Sequence, residues 1–425
     1  MDGGSRPRSV WFSLEVEGRG GGGRGERLEW YNFKLSSSSD EDDVKCETRD
    51  PGCFCCRHVH RDLRDCPSLL SPRAVSWEDE KDPRGDEHGW GLLGDHLYRL
   101  GGHRAIQVGE EKLKPANPGF WNCLGPMPRA LRSVDALDLT RPEEGWKPRP
   151  RMLTRRYEPA AVAAGGKLYV YFGRREQEEE AAAAGKLGAY GEGDDDSDYE
   201  GGPWAEVYDP ATNAWTALPD LPSGFSLCEA GIQSGVVLKN GRHLIVLIDI
   251  ARGQVVVYDT VANSWKQHCE DLPKLKNLSP PYAGRGPAVA VRQTLYWFSA
   301  ETGNLFAYDL DREVVYSSEL VDFTFAFGSC SFTMGDPILG HLGGNRFCLL
   351  YQTSPDDAEP RTIANRKSYR KPSRQKQYEY YDNRRLLHCL KFEVAKQEAR
   401  RLNVTLLSCQ SSLIKIGALK GGFFV

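Results

Sequence analysis

No stretch of this chain approaches the eighteen consecutive apolar residues that a membrane-spanning helix needs. The longest candidate, Leu244 to Ile250, contains Asp249 and is the length of a strand. Charge of one sign is lacking too. The 55 Lys and Arg are set against 59 Asp and Glu, a net of -4 over 425 residues. That is too small for a chain built to coat nucleic acid or an anionic membrane. The segment Met1 to Ser9 is polar and glycine-rich with no apolar core, which argues against a secretory leader. Gly18 to Gly25 is glycine and arginine without a following Lys-Ser or Lys-Thr, so a Walker-type phosphate loop is excluded. With no export signal, the twelve cysteines are expected to be reduced thiols, and the protein is expected in the cytosol or nucleus.

What is present is a repeat. The stretch Ala205-Glu206-Val207-Tyr208-Asp209-Pro210-Ala211-Thr212-Asn213-Ala214-Trp215 reads as a strand, a tight turn and a returning strand. Val207 and Tyr208 favour a pleated backbone, and Asp209, Pro210 and Asn213 supply turn chemistry. The pattern returns at Val257-Tyr258-Asp259 with Asn263 and Trp265, and again at Ala307-Tyr308-Asp309. The Tyr-Asp pairs at 208, 258 and 308 stand fifty residues apart, and a fixed period of that size marks a radial β array.

Around each pair the chain divides into four short strands. Five copies are complete, from Trp90–Leu93 and His96–Gly102 at the start to Leu387–Val394 and Leu402–Leu407 at the end. Half-copies flank them. Val10–Val16 and Leu28–Leu35 form one; Ser412–Ile416 and Gly422–Val425 form the other. Joining them, the C-terminal half as the first two strands and the N-terminal half as the last two, makes a sixth unit and hides the sheet edges at the chain ends. The expected organisation is N-terminal strands of the closing unit at 9–35, a poorly ordered acidic and Cys-rich linker at 36–88, and the array at 89–425 with inserts at 174–203 and 352–385.

Lys167-Leu168-Tyr169-Val170-Tyr171-Phe172-Gly173, followed by Val207-Tyr208-Asp209-Pro210 and by Trp215 through Leu218-Pro219, resembles the kelch repeat. So do Leu97–Gly102 with Trp146, and Val257-Tyr258-Asp259 with Trp265 and Leu272-Pro273. The chain looks like a plant-type kelch protein of the F-box/kelch relatives, over most of residues 89 to 408. The resemblance implies an all-β kelch-type β-propeller, here of six blades. It also implies a substrate-recognition or regulatory role linked to protein turnover. The double glycine stands only at Gly101-Gly102; Asp249, Ser299 and Gln352 lie near the equivalent places, Val315 replaces a Trp, and Phe392-Glu393 replaces Tyr-Asp. No Leu-rich helical F-box pattern precedes the repeats.

Because strands alternate in direction, the inserts at 174–203 and 352–385 and the linker 36–88 are expected on one face of the disc. The first insert is acidic from Glu176 to Glu200; the second is basic, with Arg366, Lys367, Arg370, Lys371, Arg374 and Lys376. The plain reading of such runs is solvated loops. The functional reading is a polarised face that steers a protein partner, with Arg285, Arg366, Arg370, Lys371 and Arg374 as the contact residues. Nuclear import or RNA binding is a lesser reading of the basic run.

Cys46, Cys53, Cys55, Cys56, His58, His60 and Cys66 are the candidate metal ligands, since thiolate and imidazole bind zinc. Their spacing is wrong for a zinc finger: Cys55 and Cys56 are adjacent, and Cys53-Phe54-Cys55 is too tight for the usual knuckle. A reduced loop is the simpler reading. The nine histidines are scattered one or two per copy, with no convergent metal or catalytic set. The expectation is therefore a monomeric, non-catalytic interaction scaffold without cofactor, membrane or nucleic-acid partner. A metal-dependent kelch-type enzyme is the alternative.

Overall fold

The computed structural model describes residues 9–20, 23–34, 88–104, 129–156, 159–173, 202–222, 232–250, 252–269, 288–299, 302–318, 337–353, 384–415 and 418–424. Among them there are strands, turns and two 3-10 turns but no α-helix. β1 (Ser9–Gly20) and β2 (Gly23–Lys34) form the N-terminal hairpin. The first four-stranded sheet holds β3 (Gly89–Leu93), β4 (His96–Leu100), β7 (Val134–Asp138) and β8 (Lys147–Arg149), with a small β5 (His103–Arg104) and β6 (Arg129–Ala130) ribbon beside it. The second holds β9 (Ala160–Ala164), β10 (Lys167–Tyr171), β11 (Ala205–Asp209) and β12 (Ala214–Ala217). The third holds β13 (Ile232–Lys239), β14 (Arg242–Asp249), β15 (Gln254–Asp259) and β16 (Ser264–Cys269). The fourth is β17 (Val289–Val291), β18 (Thr294–Ser299), β19 (Asn304–Asp309) and β20 (Val314–Ser318). The fifth is β21 (Ile338–Gly343), β22 (Arg346–Thr353), β23 (Arg384–Gln397) and β24 (Arg401–Lys415). β25 (Ala418–Phe424) ends the chain.

Each set of four is an antiparallel meander, and the arrangement is propeller-like. The first strands β3, β9, β13, β17 and β21, then β25, each run against the next. A short parallel pairing, Ser317 with Arg401 and Ser318 with Leu402, joins the fourth and fifth sheets into one of eight strands.

The strands are apolar without alternation because both faces are covered. In β10, Leu168 and Val170 pack on Tyr98, Leu100 and Ala136 of the first sheet. Tyr169 and Tyr171, pointing the other way, pack on Ile245, Leu247 and Val256 of the third. In β14, Val246 and Ile248 meet Leu295 and Trp297 of the fourth sheet. In turn Tyr296 and Phe298 meet Phe347, Leu349 and Tyr351 of the fifth. Each fully buried side chain of this kind stabilises by about 1.5–3 kcal/mol. The repeated tryptophans clasp neighbours: Trp215 Nε1 donates to Pro150 O at 2.8 Å and Trp265 Nε1 to Pro219 O at 3.0 Å, each a carbonyl of the preceding sheet's exit.

The Tyr-Asp signature is turn chemistry. Asp209 accepts the N–H of Ala211 at 2.9 Å, Asp259 those of Val261 and Ala262, and Asp309 those of Asp311 and Arg312. Asp138 accepts from Thr140 N–H in the same way. The turns end in left-handed residues, Asn213 (φ 52°), Asn263 (φ 50°) and Glu313 (φ 54°), a region that Asn enters at least cost. Tyr208 donates its hydroxyl to Asn213 Oδ1 at 2.7 Å and Tyr258 to Asn263 Oδ1 at 2.5 Å. Burial first, then the neighbouring Tyr169 and Asp259, pushes the Tyr258 hydroxyl up to about 12, so it remains a donor. In the third copy Glu313 replaces Asn, and the buried Tyr308 hydroxyl has no partner among the described residues.

The N- and C-terminal strands do meet: β1 pairs with β2 and with β25, in the order β2-β1-β25. The expected four-stranded closing unit is corrected to three strands. Ser412–Lys415 is the end of β24 and pairs back onto Arg384–Leu387 of β23, so the C-terminal segment contributes β25 alone. The count also corrects the placement of the linker. β25 follows β24 after two residues, so β2, two strands later, ends at the side of the disc where β3 does not begin. The chain between Lys34 and His88 therefore starts on the face opposite to the one expected. The insert in the fifth sheet is bounded at 354–383, because β22 and β23 extend past the expected ends.

Two predictions follow from the turns. Glu313→Asn is expected to stabilise the protein by about 1 kcal/mol by giving Tyr308 its acceptor, read as a higher urea midpoint at unchanged slope; an unchanged midpoint would refute it. The turn carboxylates are held low: Asp138 at about 2, chiefly by the Thr140 hydroxyl and N–H, Asp209 chiefly by Lys167, and Asp259 chiefly by the Ala262 N–H. Their folded values lie below the unfolded one, so their contribution is complete above pH about 4 and is lost as pH falls towards about 2. Asp138→Asn, which keeps an acceptor oxygen but cannot titrate, is expected to flatten the acid limb of stability against pH in that window.

Candidate functional site

The meander puts two kinds of connection on opposite sides. First-to-second and third-to-fourth links are tight turns: 94–95, 165–166, 240–241, 292–293 and 344–345, then 139–146, 210–213, 260–263, 310–313 and 398–400. Neighbouring turns touch through Lys239 and Asp311 at 2.6 Å, Gln293 and Leu238 O at 2.8 Å, and Lys396 and Asp309 at 2.5 Å. The long second-to-third links, including 105–128, 174–201 and 354–383, and the link from each of the first five sheets to the next leave and rejoin the strands on the other side, whereas the chain after β2 leaves from the turn side. The excursion at 105–128, between β5 and β6, is one that sequence reasoning missed.

On that connection side the first two sheets share a hydrogen-bonded platform, organised by Arg156. Arg156 is 2% exposed. Its Nε donates to Glu206 Oε1 at 2.9 Å, and its two Nη groups donate to Phe172 O, Trp204 O and Pro203 O at 2.8–2.9 Å. Phe172 precedes the acidic insert, and Pro203 and Trp204 follow it, so one guanidinium holds both feet of that insert. Glu206 is fully buried and also accepts the N–H groups of Leu153 and Thr154 at 2.6 and 3.3 Å. A planar fork with five donors is what three carbonyls and a carboxylate require. Phe172 sits at φ 63°, a conformation costing a bulky residue roughly 1–2 kcal/mol, and the Arg156 bond to its carbonyl holds it there.

The backbone continues the platform into the first sheet. Gly102 N–H donates to Arg156 O, Arg156 N–H to Leu131 O, and Leu131 N–H to Gly102 O, at 2.9–3.1 Å. The double glycine is needed here: a Cβ on Gly101 (φ 61°) would lie 2.3 Å from Arg156 O, and one on Gly102 (φ 94°) 2.2 Å from the His88 ring. Where the double glycine is replaced by Asp249 or Ser299 the link is instead a tight hairpin, closed by Arg252 N–H on Asp249 Oδ1 and by Gly303 N–H on Ser299 O. The glycine pair marks a chain that turns away into a long excursion.

The platform's outer surface is basic. Arg151 is exposed and Arg132 and Arg155 are partly so, with Arg132 and Arg155 reaching Leu153 O and Ala130 O at 3.4 Å. Leu153 is 41% exposed among them. Seven arginines fall between residues 129 and 156, a composition signal that could have pointed here. Arg285, Arg366, Arg370, Lys371 and Arg374, like Cys46, Cys53, Cys55, Cys56, His58, His60 and Cys66, lie outside the described residues. Among the described residues no group of three or more His, Cys, Asp or Glu is placed to hold a metal ion.

No protein-family model matches the chain. No curated protein matches it either. Among solved structures the chain is similar to one titled "Structure of YjhT", at 12% identity and a TM-score of 0.40, over 93% of this chain and 97% of that one. A likeness at that level assigns neither family nor activity.

Removing the Arg156 side chain leaves the Glu206 carboxylate buried without its counter-charge, held only by the Leu153 and Thr154 N–H groups. Arg156→Met is expected to cost about 3–5 kcal/mol of unfolding free energy, and Arg156→Met with Glu206→Met to recover much of that loss. A single-variant loss below about 1 kcal/mol in urea unfolding would show that Arg156 does not organise the platform.

Proposed function

We propose that this chain is a non-catalytic protein-interaction scaffold: a kelch-type ring of six sheets, closed by β2-β1-β25, that presents its connection face to a protein partner. The observation that carries this reading is the segregation of connections. One side is built of short turns whose polar groups are spent on each other. The other takes both feet of every long link within a sheet, two of them rooted on a rigid platform. Conserving a packed scaffold while varying its loops is how folds acquire binding functions.

The partner meets the connection face with acidic and apolar groups, against Arg132, Arg151, Arg155 and Leu153. Arg285, Arg366, Arg370, Lys371 and Arg374 add positive charge from the links of the third and fifth sheets. Such charge acts mainly on encounter rate and on choice of partner. In the cell this would be a substrate-recognition or regulatory role, within protein turnover as the kelch resemblance implies, in the cytosol or nucleus.

The test is affinity purification of the full chain with mass spectrometry of what it retains. Arg151→Glu with Arg155→Glu is expected to weaken recovery of the main partner about tenfold, a change of about 1.4 kcal/mol. Asp311→Lys, on the turn face, is expected to leave recovery unchanged. Equal loss in both variants, or none in either, would overturn the proposal.

A further inference from the structure

Cys348 in β22 and Cys389 in β23 face each other across neighbouring antiparallel strands with their Sγ atoms 3.3 Å apart. They are 0% and 1% exposed. The register pairs Cys348 with Lys391 and Leu350 with Cys389, so the thiols lie on one face of the fifth sheet, on a diagonal. That face is opposite to the one through which Phe347, Leu349, Leu390 and Phe392 join the fourth sheet. It is the side on which β25 runs against β21 and β22.

We propose that Cys348 and Cys389 form a redox modification site, closed to a disulfide by a hydroperoxide and reopened by a thiol. Diagonal neighbours in a sheet have Cα atoms roughly 7–8 Å apart, just beyond the roughly 7 Å that a disulfide spans without backbone movement, so closing the bond draws the two strands together. The register shift between Lys391 and Phe392 gives β23 slack two residues away. A bond formed there is strained, and strained disulfides are the readily reduced, regulatory ones.

The chemistry balances with the peroxide as the oxidant. The Cys389 sulfur attacks one peroxide oxygen; an S–O bond forms, the O–O bond breaks, and the leaving oxygen takes up the thiol proton. Cys348 then attacks the sulfenic sulfur; the S–S bond forms, the S–O bond breaks, and water leaves with the Cys348 proton. Two thiols lose two electrons, and hydrogen peroxide becomes two waters. Either sulfur can donate the hydrogen bond between them; burial pushes the Cys348 thiol up, while the contact with Cys348 holds the Cys389 thiol lower, which favours Cys389 as the attacking sulfur. The product would bracket residues 349–388 and tie together the two feet of the basic insert.

The test treats folded full-length protein with hydrogen peroxide, blocks free thiols with N-ethylmaleimide and maps the tryptic peptides. Cys348 falls in 347–361 and Cys389 in 386–391, each the single cysteine of its peptide. The expected product is these two peptides joined, lighter than their sum by two hydrogen atoms, and restored to free thiols by glutathione. Cys269, partly exposed, serves as a thiol expected to be blocked singly. On non-reducing gels, a tryptic cut within 361–385 is expected to leave the two fragments joined in oxidised protein alone, and to separate them in the Cys389→Ser variant. Maleimide on both Cys348 and Cys389 after peroxide would overturn the proposal. So would Cys389 joined to Cys409, or the same cross-link forming as readily in urea-unfolded chain.

Discussion

The structure depends on the double coverage of its strands. A strand such as β10 sends alternate residues into two different sheets, so neither set can be polar without a partner in place. The buried charges accordingly come paired: Arg156 with Glu206 between the second sheet and the link entering it, and Arg99 with Asp135 across the first. Each sheet is stable only while its neighbours stand, and the two chain ends carry the same requirement. Pairing β1 with β25 puts the first and last segments into one sheet, which runs against β21 and β22 of the fifth.

That coverage leaves function to the ends of the strands, and the two ends are not alike. On the turn side, Asp138, Asp209, Asp259 and Asp309 spend their oxygens on the N–H groups of their own turns. Little is left to offer a ligand. On the connection side, the polar groups of the platform are consumed in fixing where the excursions start and stop, while the guanidiniums of Arg151 and its neighbours face outward. Rigidity at the roots matters for binding: an insert whose two feet share one guanidinium loses less freedom when its tip is captured than one hung from separate strands.

The sequence showed much of this and hid a definable part. The Tyr-Asp pairs fifty residues apart disclosed the repeat, the number of complete sheets and the meeting of the ends, because turn chemistry and strand propensity are local. The fate of Ser412–Lys415 was not legible: the segment is strand-like under either assignment, and its pairing with Arg384–Leu387 is settled by the length of the β23–β24 hairpin. Arg156 was hidden for another reason. Its partners are carbonyls and a carboxylate from 16 to 50 residues away, and a backbone acceptor leaves no trace in residue identity. The Cys348–Cys389 approach needs the register across a 41-residue separation, which no spacing rule supplies.

The long excursions of the second and fifth sheets occupy the same place in their meanders but are rooted differently. In the second sheet the feet are tied through their carbonyls to one guanidinium, anchored by Glu206 and charged at neutral pH because guanidinium does not release its proton. In the fifth, β22 runs on to Thr353 and β23 begins at Arg384, and the two thiols stand along these strands, about 16 Å from the feet of the insert. A covalent tie at that position adds nothing to a sheet already fully hydrogen-bonded; its effect falls on the chain it brackets. The feet of one insert are thus held by the Arg156 guanidinium, while the proposed disulfide would tie the strands that lead to the other. Under the proposed function, the same scaffold would hold one side of its binding face constant and vary the other.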